Sequence, residues 1–363
     1  MKSINAIFRV LCILATAFMI GYWLYKFQKN EDITLVEYKP VDELHEAVIW
    51  PELSFCFRGP FLNERLSNIS NGLNKIDYYQ YLIGQKNYGK TYHDISYENV
   101  TLNLFDYFSY ISIHWKSIDD NFIDNCTSIQ DCPYFKFKNN YNGVLLEGFY
   151  KCFGLEINQE YAKDIAYYYL KFESTLRNVT REVESALLSF NLPNQFTRNF
   201  GGNQPVNWGN YDKSGVQIIE ITSVELLKRR NKIQEPCVDD WKSYDKNLEL
   251  KHLEFVGCRS PYQKLNNSFE ICNTTEKLKE VLFDGLKLAH DYPSPCLEMP
   301  NLAYRYGKTE SNAYMTDGVK FYVSYPDKWK IITQSQKVDV HTLIGNMGGY
   351  IGLFLGKKID KSL

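Results

Sequence analysis

The hydrophobic pattern opens on one long apolar run and then breaks into short segments of changing period. From Ile4 to Tyr25 the only charge is Arg9, among Ile7, Val10, Leu11, Ile13, Leu14, Phe18 and Leu24. Twenty-two helical residues rise about 33 Å, enough to cross a hydrocarbon core of about 30 Å. Arg9 lies near enough to one end to snorkel. Tyr22, Trp23 and Tyr25 cluster at the other end, as an interfacial belt does. A cleaved leader is the competing reading, with Lys2 and Arg9 as its basic start. Its small-residue site, Ala15-Thr16-Ala17, would sit in mid-run with apolar residues continuing beyond it, so the run reads as an anchor.

Beyond the anchor the periods are mixed. Leu53-Ser54-Phe55-Cys56-Phe57, entered through Pro51, is strand-like. So is the β-branched stretch Gly215 to Ile221. Val319, Phe321 and Val323 alternate with Lys320, Tyr322 and Ser324, the pattern of a half-buried strand. Asn273 with Glu276 resembles a capping box, and Leu278, Val281, Leu282, Leu286 and Ala289 then recur at helical spacing, with Gly285 weakening the helix. Glu182 to Leu188 suggests another short helix. No repeat or Pro/Gly-rich linker divides the chain. The pattern predicts an α+β class, with a stub at 1–3, a transmembrane helix at 4–25 and one multi-part domain from 26 to 340.

Composition places that domain. A formal charge of −2 over 363 residues, with no long basic run, argues against nucleic acid as a partner. Aromatics reach 15%, with 28 Tyr and 22 Phe, which suits broad sheet faces. Of nine cysteines, Cys12 lies in the apolar run. The other eight are Cys56, Cys126, Cys132, Cys152, Cys237, Cys258, Cys272 and Cys296, an even number that suggests four disulfides. Asn68, Asn99, Asn125, Asn178, Asn266 and Asn273 each begin an N-x-S/T glycosylation signal. Together these predict an oxidising exterior, with the N-terminus inside the cell.

Candidate chemistry is sparse. The six histidines form no HExxH or Cys/His zinc spacing, and no nucleophile elbow, P-loop or dinucleotide fingerprint occurs. Cys126 and Cys132 bracket a loop of five residues, which reads as a small disulfide loop in this setting. Asp119-Asp120 and Asp239-Asp240 read as solvated surface acids. The expectation is a non-enzyme without cofactor or metal.

Three stretches resemble one family in order and separation. Trp50-Pro51-Glu52-Leu53-Ser54-Phe55-Cys56 resembles the first extracellular strand, F-P-x-V-T-x-C, of the degenerin/epithelial sodium channel family. Glu298-Met299-Pro300 with Tyr304-Arg305-Tyr306-Gly307 is similar to the family's C-E-M-P-C-N-x-T-R-Y-G, with Asn301 where a cysteine is usual. Leu343-Ile344-Gly345-Asn346-Met347-Gly348-Gly349-Tyr350-Ile351-Gly352-Leu353-Phe354-Leu355-Gly356 resembles the entry to the second membrane helix, L-L-x-x-x-G-G-x-x-G-L-F-x-G-x-S. The spacing of Gly348, Gly352 and Gly356 gives one flat helical stripe along which helices or ions approach closely.

The resemblance implies a trimeric, sodium-preferring, voltage-independent channel blocked by amiloride, in the plasma membrane. Its exterior would be a palm-centred domain with finger and thumb elaborations, opened by ligand, acid or force. It would act as a homo- or heterotrimer with family subunits. By the match, Gly345 takes the place of a small gating residue, Gly356 that of the first glycine of the filter, and Tyr38 that of an aromatic coupling residue. The resemblance also pairs Cys56 with Cys152 and Cys126 with Cys132; the other four allow three connectivities. Lys357-Lys358 then replace the rest of the filter, so 341–356 reads as the start of a second pore helix and 357–363 as a charged tail. The expectation is a subunit that does not conduct by itself. The alternatives are a non-conducting regulatory or fragment isoform and an unrelated single-pass receptor ectodomain.

Overall fold

In the computed structural model, residues 2–40, 50–69, 74–86, 95–104, 110–117, 122–126, 132, 135–145, 148–158, 165–173, 185–195, 206–207, 215–263, 268–310 and 318–355 are described. Asn178, Asn266, Gly356, the 357–363 tail and Asp119-Asp120 lie outside them. The helices are α1 (Lys2–Gln28), α2 (Asn63–Ile69), α3 (Lys75–Leu82), α4 (Tyr97–Val100), α5 (Tyr244–Val256), α6 (Thr275–Asp291) and α7 (Val340–Leu355). The strands are β1 (Asp32–Pro40), β2 (Glu52–Arg58), β3 (Tyr110–Ser117), β4 (Phe122–Cys126), β5 (Phe135–Leu145), β6 (Gly148–Ile157) and β7 (Ile165–Glu173). They continue with β8 (Ser185–Asn191), β9 (Val206–Asn207), β10 (Gly215–Lys228), β11 (Leu297–Glu310), β12 (Gly318–Ser324) and β13 (Lys328–Gln336).

The chain divides into two units. The first holds Met1–Glu37, Lys228–Arg230 and Ile332–Leu363; the second holds Tyr38–Leu227 and Asn231–Ile331. The second unit is the mixed helix-and-strand body. One sheet runs β5-β6-β2-β8-β9, and another carries β10-β12-β7-β3-β4 with β11 also on β10. β10 and β12 are parallel, starting Gly215↔Val319.

β2 explains how the first sheet forms. It pairs antiparallel with both β6 and β8, and Glu52 to Phe57, whose side chains alternate between the two faces of the sheet, are all buried. A strand covered on two sides needs apolar residues at successive positions, and Leu53, Phe55, Cys56 and Phe57 supply them. Its two polar members are satisfied. Glu52 lies 2.6 Å from Lys138 Nζ, and Ser54 Oγ donates to Asn191 Oδ1 at 3.1 Å. The register sets Cys56 opposite Cys152, and the two are disulfide-linked. Trp50, Tyr325 and Trp329 close one end of this core edge to face, with centroids 4.6 and 5.3 Å from Trp50.

The stretch expected to be a helix at Glu182–Leu188 is instead strand β8 from Ser185 onward. Its backbone pairs with β2 from Arg58↔Ser185 to Glu52↔Asn191, and that ladder overrides the local pattern. Helix α6 is capped by Thr274, not Asn273: Thr274 Oγ1 accepts from Lys277 N at 3.2 Å. Disulfides Cys237–Cys296 and Cys258–Cys272 brace the α5/α6 region. Cys132 is disulfide-bonded as well, while the side chain of Cys126 is outside the description. Helix α1 runs past both ends of the expected 4–25 span and takes in Lys2 and Ser3. Helix α7 begins at Val340, one residue before the expected boundary.

Candidate functional site: an apolar helix pair and its charged clasp

Within the first unit, α1 packs against α7. On α1, Cys12, Thr16, Met19 and Trp23 recur at helical spacing as the covered face. Thr16 is the most deeply covered, and its hydroxyl is satisfied by donating to Cys12 O at 2.8 Å. Val10, Leu11, Leu14 and Phe18 remain exposed on the other side. Among the described residues α1 alone is long and apolar enough to cross a membrane, over Val10–Gln28. At 16 residues, α7 rises about 24 Å over its described length.

Helix α7 starts with a cap. Thr342 N donates to Asp339 Oδ1 at 2.6 Å, and the Thr342 side chain, then that backbone bond, holds the Asp339 carboxyl below the usual carboxylate range. The helix then presents two faces of different character. Leu343 is buried and Asn346, Met347 and Tyr350 are half-buried, at spacings i, i+3, i+4 and i+7. Gly345, Gly348, Gly349 and Gly352 repeat the same spacing on another face and are exposed. A Cβ added at any of these four would meet nothing within 4 Å. The glycines are therefore not required by packing against the described residues of this chain.

A charged clasp ties three passages of the chain at the end of α1. Asn30 turns the backbone with φ 53°, a conformation asparagine tolerates. Lys337 N then donates to Glu31 O at 2.8 Å, and Lys337 Nζ donates to Glu31 Oε2 at 3.4 Å. Lys29 and Lys26 approach the same carboxylate at 3.6 and 4.0 Å. The Lys337 hydrogen bond, then the charge of Lys26, holds Glu31 below the usual carboxylate range. Beside it, Arg230 donates to Asn30 Oδ1 at 2.6 Å and pairs with Asp32 at 3.0 Å. The exit of α1, the Lys228–Arg230 passage and the lead-in to α7 are thus held by charge and hydrogen bonds.

The other expected site residues lie in the second unit or outside the description. Asn68, Asn99 and Asn273 are exposed, and Asn125 lies on β4. Tyr38 is 67% exposed on β1. Cys237, Asp239 and Cys296 bring possible metal ligands together, but the two sulfurs are bonded to each other, so neither is a thiolate ligand. Asp239 accepts from Asn231 Nδ2 at 3.0 Å. Sequence reasoning missed Glu31, Asp32, Arg230 and Lys337. The available signal was the basic run Lys228-Arg229-Arg230 at the end of a β-branched strand.

No protein-family model matches the chain. No curated protein matches it either. The cryo-EM structure of a proton-activated chloride channel aligns with a TM-score of 0.27 at 6% identity, covering 98% of this chain and 92% of that one. A likeness of that size carries no argument about fold or function. The degenerin/epithelial sodium channel resemblance therefore rests on the motifs alone.

Proposed function

We propose that the chain is a non-enzymatic subunit of a sodium-preferring, amiloride-sensitive ion channel of the plasma membrane. The reading places the N-terminus in the cytosol and the second unit outside, where ligand, acid or force acts on it. It assembles as a homo- or heterotrimer with family subunits, and its partners are sodium ions and the lipid bilayer, not nucleic acid. One observation carries the reading: α7 packs on α1 with one face and leaves a face of four glycines open. A glycine face of that kind lets helices of other copies, or permeating ions, come close to backbone. The motif resemblance supports the same face as the pore entry. Three disulfides support an oxidising exterior for the second unit.

The test is voltage clamp of oocytes expressing the chain alone and with family subunits. The reading expects no amiloride-blocked sodium current from the chain alone and, with family subunits, one that thiol reagents alter when Gly349→Cys is present. A reversal potential that follows chloride overturns the sodium assignment and leaves the channel reading standing. Currents indifferent to the chain and to Gly349→Cys overturn the channel reading itself.

A further inference from the structure

Helices α5 and α6 of the second unit meet through a histidine and a glycine. His252 on α5 is 8% exposed. A Cβ added to Gly285 of α6 would lie 2.6 Å from His252 Cε1 and 2.9 Å from Nε2. The imidazole therefore fills the space that any side chain at 285 would take. Gln263 Nε2 lies 3.4 Å from His252 Nδ1. The amide is oriented from behind, because Ser260 N donates to Gln263 Oε1 at 2.8 Å. With its oxygen committed to Ser260, Gln263 turns its NH2 to the ring. Nδ1 then accepts, and the single proton of a neutral imidazole belongs on Nε2.

The charged groups around the ring come from each element that packs on it. Helix α6 supplies Asp284, which favours the charged ring, and the Val281 backbone acts in the same sense. One turn earlier, helix α5 carries Glu249, whose own carboxyl is governed by burial and then Asp245. The connector after α5 supplies Arg259, whose guanidinium donates to Phe269 O and Gln263 O at 3.0 and 3.2 Å. It also supplies the buried phenol of Tyr262. Burial outweighs Asp284 and holds His252 below the usual histidine range.

We propose that His252 is a proton-operated wedge: neutral, its ring keys into Gly285 and locks α5 to α6; protonated, it sets a donor against the Gln263 NH2 and loosens the pair. The inference goes beyond the channel reading and holds whether or not the chain conducts. A histidine held low in the folded state contributes stability present above its unfolded value of about 6.5, lost as pH falls through its folded value. Glu249 works in the opposite sense. Burial, then Asp245, pushes it up to about 7, so the folded state is relieved as pH falls below that value. Opposite slopes make the two groups separable. Cys258–Cys272 ties the connector to the start of α6, which keeps the loosening local.

Hydrogen exchange of the whole chain in detergent micelles, from pH 8 to pH 5 and corrected for intrinsic rates, tests the wedge. In a Glu249→Gln background, which removes the opposing slope of that carboxyl, the α5 and α6 amides should lose about tenfold protection as the ring takes its proton. His252→Gln should abolish that loss. Gly285→Ala should lower protection at every pH, and should do so far less in the His252→Ala background. Protection that stays flat with pH in the Glu249→Gln background, or that falls equally when His252→Gln is added to it, overturns the proposal. So does a Gly285→Ala cost that is the same in both backgrounds. If His252→Gln proves unfolded at pH 8, exchange at the His252 ring Cε1–H of the wild type decides: a midpoint at or above about 6.5 overturns the wedge.

Discussion

The α5/α6 pair and the α1/α7 pair are built from the same element and finished differently. In α5/α6 a glycine accepts a histidine ring, Val256, Leu278 and Val281 join one buried cluster, and two disulfides brace the flanks. In α1/α7 the four glycines of α7 face none of the described residues, Val10, Leu11 and Phe18 are exposed, and no disulfide among the described residues reaches the pair. A glycine used for close packing and a glycine left open look alike as letters. The partner across from each tells them apart. The first pair is complete within one chain, whereas the second presents surface that lipid and further helices would cover.

Substitutions should therefore hurt in opposite assays. The largest stability loss is expected at Gly84, which has φ +70° and would place a Cβ 2.4 Å from Thr275 O and 2.9 Å from Lys279 N. Backbone cannot swing aside as a side chain can. Gly84→Ala should cost about 3 kcal/mol or more, combining left-handed strain with overpacking, read as a lowered midpoint in thermal unfolding. Next comes Leu278→Ala in the α5/α6 cluster, where Leu278 is buried. It should cost about 2–5 kcal/mol by the same measurement. Gly349→Leu should change the stability of the isolated chain by no more than about 0.5 kcal/mol while abolishing assembly on a gel-filtration column. If it destabilises as much as Leu278→Ala, the contrast between the two helix pairs fails.

Smaller effects sharpen the contrast through pH. Glu249→Gln should raise the unfolding midpoint at pH 8, where the native carboxylate is ionised at a cost. The gain should shrink as pH falls from about 7 toward the unfolded carboxylate range near 4.3. The smallest effect is expected at the clasp. Glu31 is held below the carboxylate range, so its contribution is present above about 4.3 and is lost as pH falls through its folded value. Glu31→Gln should barely move the midpoint at pH 7, because exposed ion pairs contribute little. Its effect should vanish in high salt, which unfolding curves at low and high ionic strength will show.

Much of the body was legible because local pattern and tertiary demand agree there. Leu53 to Phe57 reads as a strand and lies between two neighbours, and the run from Ile4 to Tyr25 reads as a helix and is one. Two passages misled. Glu182 to Leu188 reads as a short helix, but from Ser185 onward the ladder with β2 decides its form. Gly285 reads as a weak point in α6, yet its missing side chain is what admits His252. The clasp was not legible at all. Arg230 and Asn30 are 200 residues apart, and Lys337 and Glu31 are 306 apart. No local period reports a contact across such separations.

On the proposed channel reading, copies of this chain meet at the open glycine face of α7. Cysteine cross-linking in native membranes tests it, in a Cys12→Ser background so that no other free thiol of the described residues interferes. Gly349→Cys should yield disulfide-linked chains under mild oxidation, while Leu343→Cys, on the face already covered within the chain, should remain monomeric on a non-reducing gel. Cross-linking at Leu343→Cys with none at Gly349→Cys would contradict the account.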